Sequence, residues 1–172
     1  MIPAGHHLVL VGMTGSGKST VARLVAERLG RPLVDTDQVV ETGAGRTIRS
    51  IFAEDGEQAF RSLETDALTN ALADGVPAVI ATGGGVVLAA ANRIALRESS
   101  ARVVWLCADP STLLERVRPS IRSGHRPLLD DDPAGTLQRM CTEREPLYRE
   151  VADAIVLVDH RSTADVVEAV LR

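Results

Sequence analysis

The stretch LVLVGMTGSGKSTVARLVAERLG, Leu8 to Gly30, decides the fold. Four apolar residues, Leu8 to Val11, run without alternation into Gly12, as a parallel strand buried on both faces requires, and a helical pattern begins after Gly17. Between them lies G-x-x-x-x-G-K-S, a loop whose glycines bring the backbone close to a polyphosphate, so that successive N–H groups and a helix N-terminus point at the anion. Lys18 adds a point charge for the outer phosphates, and the Ser19 hydroxyl suits magnesium. Glycines, lysine and serine all fall in register between a strand and a helix, which a turn that merely caps a helix does not need. The expected phosphate ligands are therefore Gly12, Met13, Thr14, Gly15, Ser16, Gly17, Lys18, Ser19 and Thr20.

Outward from that loop, strands and helices alternate. Gly30 is placed to end the first helix, and RPLVDTD then forms a short strand closing on two acids, Asp35 and Asp37. A short helix and a long one follow, the long one carrying Phe60, Leu63, Ala67, Leu68, Ala71 and Leu72 at helical spacing, with Gly75 as punctuation. VPAVIATGGG reads as a third strand entering a triple glycine, RVVWLCADPSTLLERV as a fourth strand with Asp109 capping the next helix and Pro110 at its first position, and DAIVLVD as a fifth. Such alternation predicts an α/β fold of three layers, a parallel sheet with helices on both faces and ligands at the carboxyl ends of the strands. One stretch breaks the rhythm. Arg118 to Gly135 has three X-Pro corners, several cations and little apolar periodicity, and reads as a mobile lid over about 118–132.

The chain has 172 residues, a length that suits a single domain over 1–172. With 19 basic and 23 acidic residues the formal charge is −4, which argues against a nucleic-acid or anionic-membrane partner and leaves room for a small anionic substrate in a local basic pocket. Cys107 and Cys141 are far apart and form no C-x-x-C pair, so buried reduced thiols are expected. No basic-then-apolar leader pattern opens the chain and no apolar run approaches membrane-spanning length, so a cytoplasmic location is expected.

The acceptor side is less direct. The third strand ends in Thr82-Gly83 rather than in an acid, so the carboxylate for magnesium falls to Asp35, since Asp109 is accounted for as a helix cap. Asp37, two residues on, shares a face with Asp35 if the segment is still extended, and otherwise caps a helix over 38–42. Arg61 is either a substrate ligand or part of a solvated charge face with Glu57 and Glu64. Phe52 and Phe60 wall a pocket or pack in a core. Three consecutive glycines, Gly83 to Gly85, cost conformational entropy and make sense where a ligand touches the backbone.

Taken together, GMTGSGKST, VDTD, FAEDGEQAFRSLE, TGGG, RPLL and REPLYREVAD, in that order over nearly the whole chain, resemble the shikimate kinase family. The resemblance implies a nucleoside-monophosphate-kinase-like fold with a five-stranded parallel sheet in order 2-3-1-4-5, and ATP-dependent phosphorylation of the 3-hydroxyl of shikimate on the route to chorismate and the aromatic amino acids. It implies that Arg61 and Arg144 hold the ring carboxylate as guanidinium forks, that Asp37 orients the attacking hydroxyl, and that backbone N–H groups of Gly83, Gly84 and Gly85 close the pocket, within a substrate segment of about 35–64. Ser19 would bind Mg²⁺ directly and Asp35 through water, while Lys18 and the lid residue Arg126 neutralise the transferring phosphoryl group. Arg118 and Arg161 are the implied neighbours of the adenine, and a monomer is the default. A sister kinase of the same fold, such as a gluconate kinase, shares the P-loop but has no use for a carboxylate held by Arg61 and Arg144. A GTPase-type switch lacks support, because no N-K-x-D is present.

Overall fold

Five strands run parallel in the order β2-β3-β1-β4-β5 in the computed structural model, which describes residues 5–122 and 132–172, apart from the side chains of 120–122. β1 (Leu8–Val11) is central, flanked by β3 (Val79–Ala81) and β4 (Arg102–Cys107), with β2 (Leu33–Asp35) and β5 (Ala154–Leu157) at the edges. All four β1 residues are fully buried, which explains their unbroken apolar run. The register places Val9 opposite Ile80 on one side and Val103 on the other.

Each face of the sheet has its own helical layer. Leu8, Leu10, Val79, Ala81, Val104 and Leu106 pack against α1 (Lys18–Leu29) and α8 (Thr163–Leu171). The opposite set, including Val9, Val11, Ile80, Val103 and Trp105, packs against α4 (Gly56–Ala73), α5 (Ala90–Glu98), α6 (Pro110–Arg122) and α7 (Pro133–Val151). A third, smaller cluster of Val40, Ile51, Phe60 and Ala67 joins α4 to α2 (Thr36–Ala44) and α3 (Ile48–Glu54). The helices that carry the acceptor residues thus have a local core beside the sheet. Phe52 and Phe60 belong to it, their ring centroids 4.9 Å apart, so their first duty is packing.

Several local predictions meet their physical reasons here. Gly30 adopts the left-handed conformation and its N–H closes α1 on Ala26 and Glu27 carbonyls. The segment after β2 is not extended: α2 begins at Thr36, because one oxygen of Asp35 accepts from the N–H groups of Asp37 and Gln38 and turns the chain into a helix at once. The cap is therefore Asp35, and Asp37 stands in the first turn of α2. α6 continues to Arg122, past the point where irregular chain was expected at Arg118. Pro119 is exposed within it, where water can satisfy the carbonyl that a proline leaves unpaired, while Leu113 and Val117 keep the helix anchored. At the other end Asp132 caps α7 through the Gly135 N–H. The centre of the expected lid, 123–131, lies outside the described residues, and Arg126 with it. Cys107 and Cys141 are free but only half-buried, and that burial pushes both thiols up from their ordinary range. Among the described residues no helix is long and apolar enough to cross a membrane.

Candidate active site

The P-loop is shaped by its neighbours as much as by any ligand. Gly12 has φ +145°, and a Cβ there would stand 2.5 Å from the Leu106 carbonyl of β4; a Cβ on Gly15 would meet Val117 of α6 at 2.8 Å. The loop is therefore pressed between β1, β4 and the start of α6, which orients its N–H groups beyond the carboxyl edge of the sheet. Lys18 is buried and its ammonium folds back on the loop, donating to the carbonyls of Gly12 (2.7 Å) and Met13 (2.9 Å). These bonds fix the charge over the space that the loop encircles.

Beside it, Ser19 Oγ donates to Asp35 Oδ2 at 2.9 Å. A single carboxylate therefore does two things: one oxygen caps α2 and the other meets the P-loop serine. Hydroxyl and carboxylate are hard oxygen donors, as Mg²⁺ prefers. Among the described residues no group of three or more His, Cys, Asp or Glu side chains gathers to hold a metal.

On the acceptor side, four charged side chains converge on the triple glycine. A Cβ on Gly83 would lie 2.5 Å from Glu64 Oε1 and 2.7 Å from Asp37 Oδ1, and one on Gly85 would overlap the Arg61 guanidinium. Arg144, on α7, donates from Nη1 to the Gly84 carbonyl at 3.1 Å. Side chains from α2, α4 and α7 thus line one short loop, and the loop must be glycine because they come so close. Arg61 combines both sequence readings: it pairs with Glu57 (3.0 Å) and Glu64 (2.8 Å), yet it lies over the Phe60 ring and against Gly85 rather than on an open face.

The backbone of this loop is committed in part. The Gly83 N–H donates to Thr36 Oγ1 (3.2 Å), so that group serves the fold rather than a ligand. From below, Asn92 donates to the Val86 carbonyl and Arg93 to those of Val87 and Leu88, tying α5 to the 3₁₀ turn over Val86–Leu88. On its outer side the loop rests on the P-loop, since a Cβ on Gly84 would stand 3.0 Å from the Thr14 backbone nitrogen. Donor loop and acceptor loop are in contact.

Several participants escaped the sequence reading. Glu64 was assigned only to a charge face, but it is 1% exposed, and its spacing of four from both Phe60 and Leu68 was the available signal. Burial pushes its carboxyl above the usual range against the opposing pull of Arg61. Thr36 is fully buried for the reason already given. At the nucleotide end, Arg118 and Arg161 are both exposed, Arg118 on α6 and Arg161 in the turn before α8 beside His160, whose φ is +57°. Among the described residues Arg116 reaches the P-loop: its Nη1 and Nη2 donate over long distances to the carbonyls of Gly15 (3.5 Å) and Val158 (3.4 Å).

The model of a family described as shikimate kinase matches residues 14–172. The shikimate kinase of Symbiobacterium thermophilum is 48% identical over 166 residues, covering 96% of this chain and 94% of that protein. That of Marinomonas sp. is 41% identical, covering 96% and 90%. The chain belongs to the shikimate kinase family. Its activity is that of a shikimate kinase, a transferase that uses ATP. Among solved structures, shikimate kinase from Acinetobacter baumannii in complex with shikimate superposes with a TM-score of 0.91 at 36% identity, covering 98% of this chain and 92% of that one. The sheet order 2-3-1-4-5 is the one that the family resemblance implied.

Proposed function

We propose that the phosphoryl group of ATP passes to the 3-hydroxyl of shikimate where the triple-glycine loop rests on the P-loop. The observation that carries this reading is the convergence of Asp37, Arg61 and Arg144 on Gly83 to Gly85, a loop itself packed on Thr14. Two guanidinium groups flank adjacent residues, Gly84 and Gly85, and suit a ring carboxylate, which planar N–H forks grip better than an ammonium does. With the carboxylate held there, Asp37 accepts a hydrogen bond from the attacking hydroxyl and aims it toward the P-loop.

The oxygen–phosphorus bond then forms as the bond from the γ-phosphorus to the bridging oxygen of ATP breaks, and the hydroxyl proton moves toward Asp37. Because charge in such a transfer spreads over the phosphoryl oxygens, alignment matters more than strong proton abstraction. Lys18 and the P-loop N–H groups stabilise that charge, with Arg126 as a further cation. Mg²⁺, held by Ser19 directly and by Asp35 through water, would neutralise phosphate charge when bound. Gly84 and Gly85 close the pocket floor while Gly83 remains tied to Thr36. Arg116 joins Arg118 and Arg161 as a neighbour of the nucleotide. The chain works as a monomer, one domain over 1–172, in the cytoplasm.

The test is Asp37→Asn, which keeps the shape and removes the charge. Its kcat should fall by about 10² or more, the usual scale for a positioned catalytic group, with ATP still bound by calorimetry. Phosphorylation of shikimate within a few-fold of wild type would reduce Asp37 to a residue in the first turn of α2.

A further inference from the structure

The Gly84 carbonyl has two donors. Arg144 approaches it from one position on α7 and the Tyr148 hydroxyl from one turn further along the same helix. Tyr148 is 1% exposed, and its ring stacks on Trp105 with centroids 5.5 Å apart and planes 19° from parallel. Trp105 is in turn covered by the Arg149 guanidinium. The phenol is therefore pinned by packing, and it aims a hydroxyl at one backbone oxygen of the acceptor loop. Arg144 is also buried, and its Nε has no hydrogen-bond partner among the described residues. A guanidinium in that position is tethered to Gly84 yet still has N–H groups to offer.

We propose that Tyr148 is a positioning residue for the acceptor: by keeping the Gly84 carbonyl satisfied, its hydroxyl frees the Arg144 fork to turn to the carboxylate of shikimate. A buried carbonyl left without a donor is costly, so if Arg144 were its sole partner, every N–H drawn toward substrate would leave the carbonyl exposed to that cost. With two donors on one oxygen, Arg144 can move while the pinned Tyr148 hydroxyl remains. Burial also pushes the phenol well above its ordinary range, so the hydroxyl stays a donor throughout the working range of pH. Because Gly84 sits against Thr14, holding its carbonyl also fixes the height of the acceptor loop above the P-loop.

The proposal rests on the reading of Arg144 as a carboxylate ligand, and the experiment separates the two. Tyr148→Phe keeps the ring and its stack on Trp105 and removes the hydroxyl alone. Shikimate Kd, and KM with it, should rise about 5- to 30-fold, the factor expected for one buried polar group losing its partner, with ATP Kd unchanged and kcat within about 3-fold. A double-mutant cycle with Arg144→Lys gives the readout that a merely structural tyrosine would not move: in the Arg144→Lys background, Tyr148→Phe should add little further loss of shikimate affinity. Arg144→Lys with an unchanged shikimate Kd would overturn the carboxylate reading and this proposal with it. If Arg144→Lys weakens shikimate but Tyr148→Phe only lowers the melting temperature, or costs the same factor in both backgrounds, Arg144 keeps its role and the positioning role of Tyr148 is refuted.

Discussion

At the scale of single residues, the site works by placing charge where neighbours leave little freedom. Lys18 is buried and bonded to two P-loop carbonyls, so its ammonium is held in place and, in the proposed transfer, would cost little reorganisation. Lys18→Ala should therefore lower kcat by roughly 10² to 10³ with the fold intact by circular dichroism, since one preorganised donor is lost. Gly85 provides a complementary test. Its φ of −96° is open to any residue, so Gly85→Ala introduces no backbone strain and acts only through the methyl group, which would overlap Arg61. Shikimate KM should rise clearly while ATP binding by calorimetry stays as in wild type; an unchanged KM would detach Arg61 from the acceptor.

Among the elements, α4 shows how a helix can carry both packing and chemistry. Its inward face presents Phe60, Glu64, Ala67 and Leu68, so an acid lies in a row of apolar neighbours. The Glu64 carboxyl is pushed up chiefly by burial, with Arg61 and Arg144 pulling the other way and Asp37 adding to the rise. A carboxyl whose folded pKa exceeds its unfolded value contributes stability that is fully present below the unfolded pKa and is lost as pH rises through the folded one. Glu64→Gln has no such loss. The melting temperature of Glu64→Gln relative to wild type should therefore climb as pH is raised from about 4 to about 7. A constant difference across that range, measured by calorimetry, would mean that the ion pair with Arg61 offsets burial, and a falling one that it outweighs burial. The same element explains part of what sequence reading missed. A charged triplet, Glu57, Arg61 and Glu64, has the i, i+3 and i+4 spacing of a solvated face, and only the packing of α2 and the glycine loop against α4 determines that Glu64 is inside.

For the whole molecule, the proposed shikimate site joins parts of the fold that are far apart in sequence: α2 and α4 from the first half, the loop after β3, and α7 near the end. A ligand that ties them together stabilises only the folded state. At 100 times its Kd, shikimate should add about 2.7 kcal/mol, and at about 2–4 °C per kcal/mol the melting temperature should rise by roughly 5–10 °C. Gluconate at the same concentration should leave it unmoved. A shift of equal size with gluconate would show that the pocket does not select for the ring that Arg61 and Arg144 are proposed to hold.

The sequence by itself determined the elements and the donor side, because both are written in short-range patterns. A buried β1 is a run of apolar residues, α1 ends where Gly30 allows a left-handed turn, and the P-loop needs its glycines, Lys18 and Ser19 at set positions within eight residues. Tertiary structure decided how the proposed acceptor side is assembled. Whether Asp35 or Asp37 caps α2 depended on which carboxylate could also meet Ser19, sixteen residues earlier. Whether Glu64 is solvated, and whether Arg116 or Arg118 faces the P-loop, depended on which side of a helix its neighbours cover. The Gly84 carbonyl meets Arg144 and Tyr148 some sixty residues away, at a distance in sequence where no periodicity extends. Local pattern encodes the turn of a backbone, but a pocket is made where separate segments close on one another, and that closure is set by packing across the sheet.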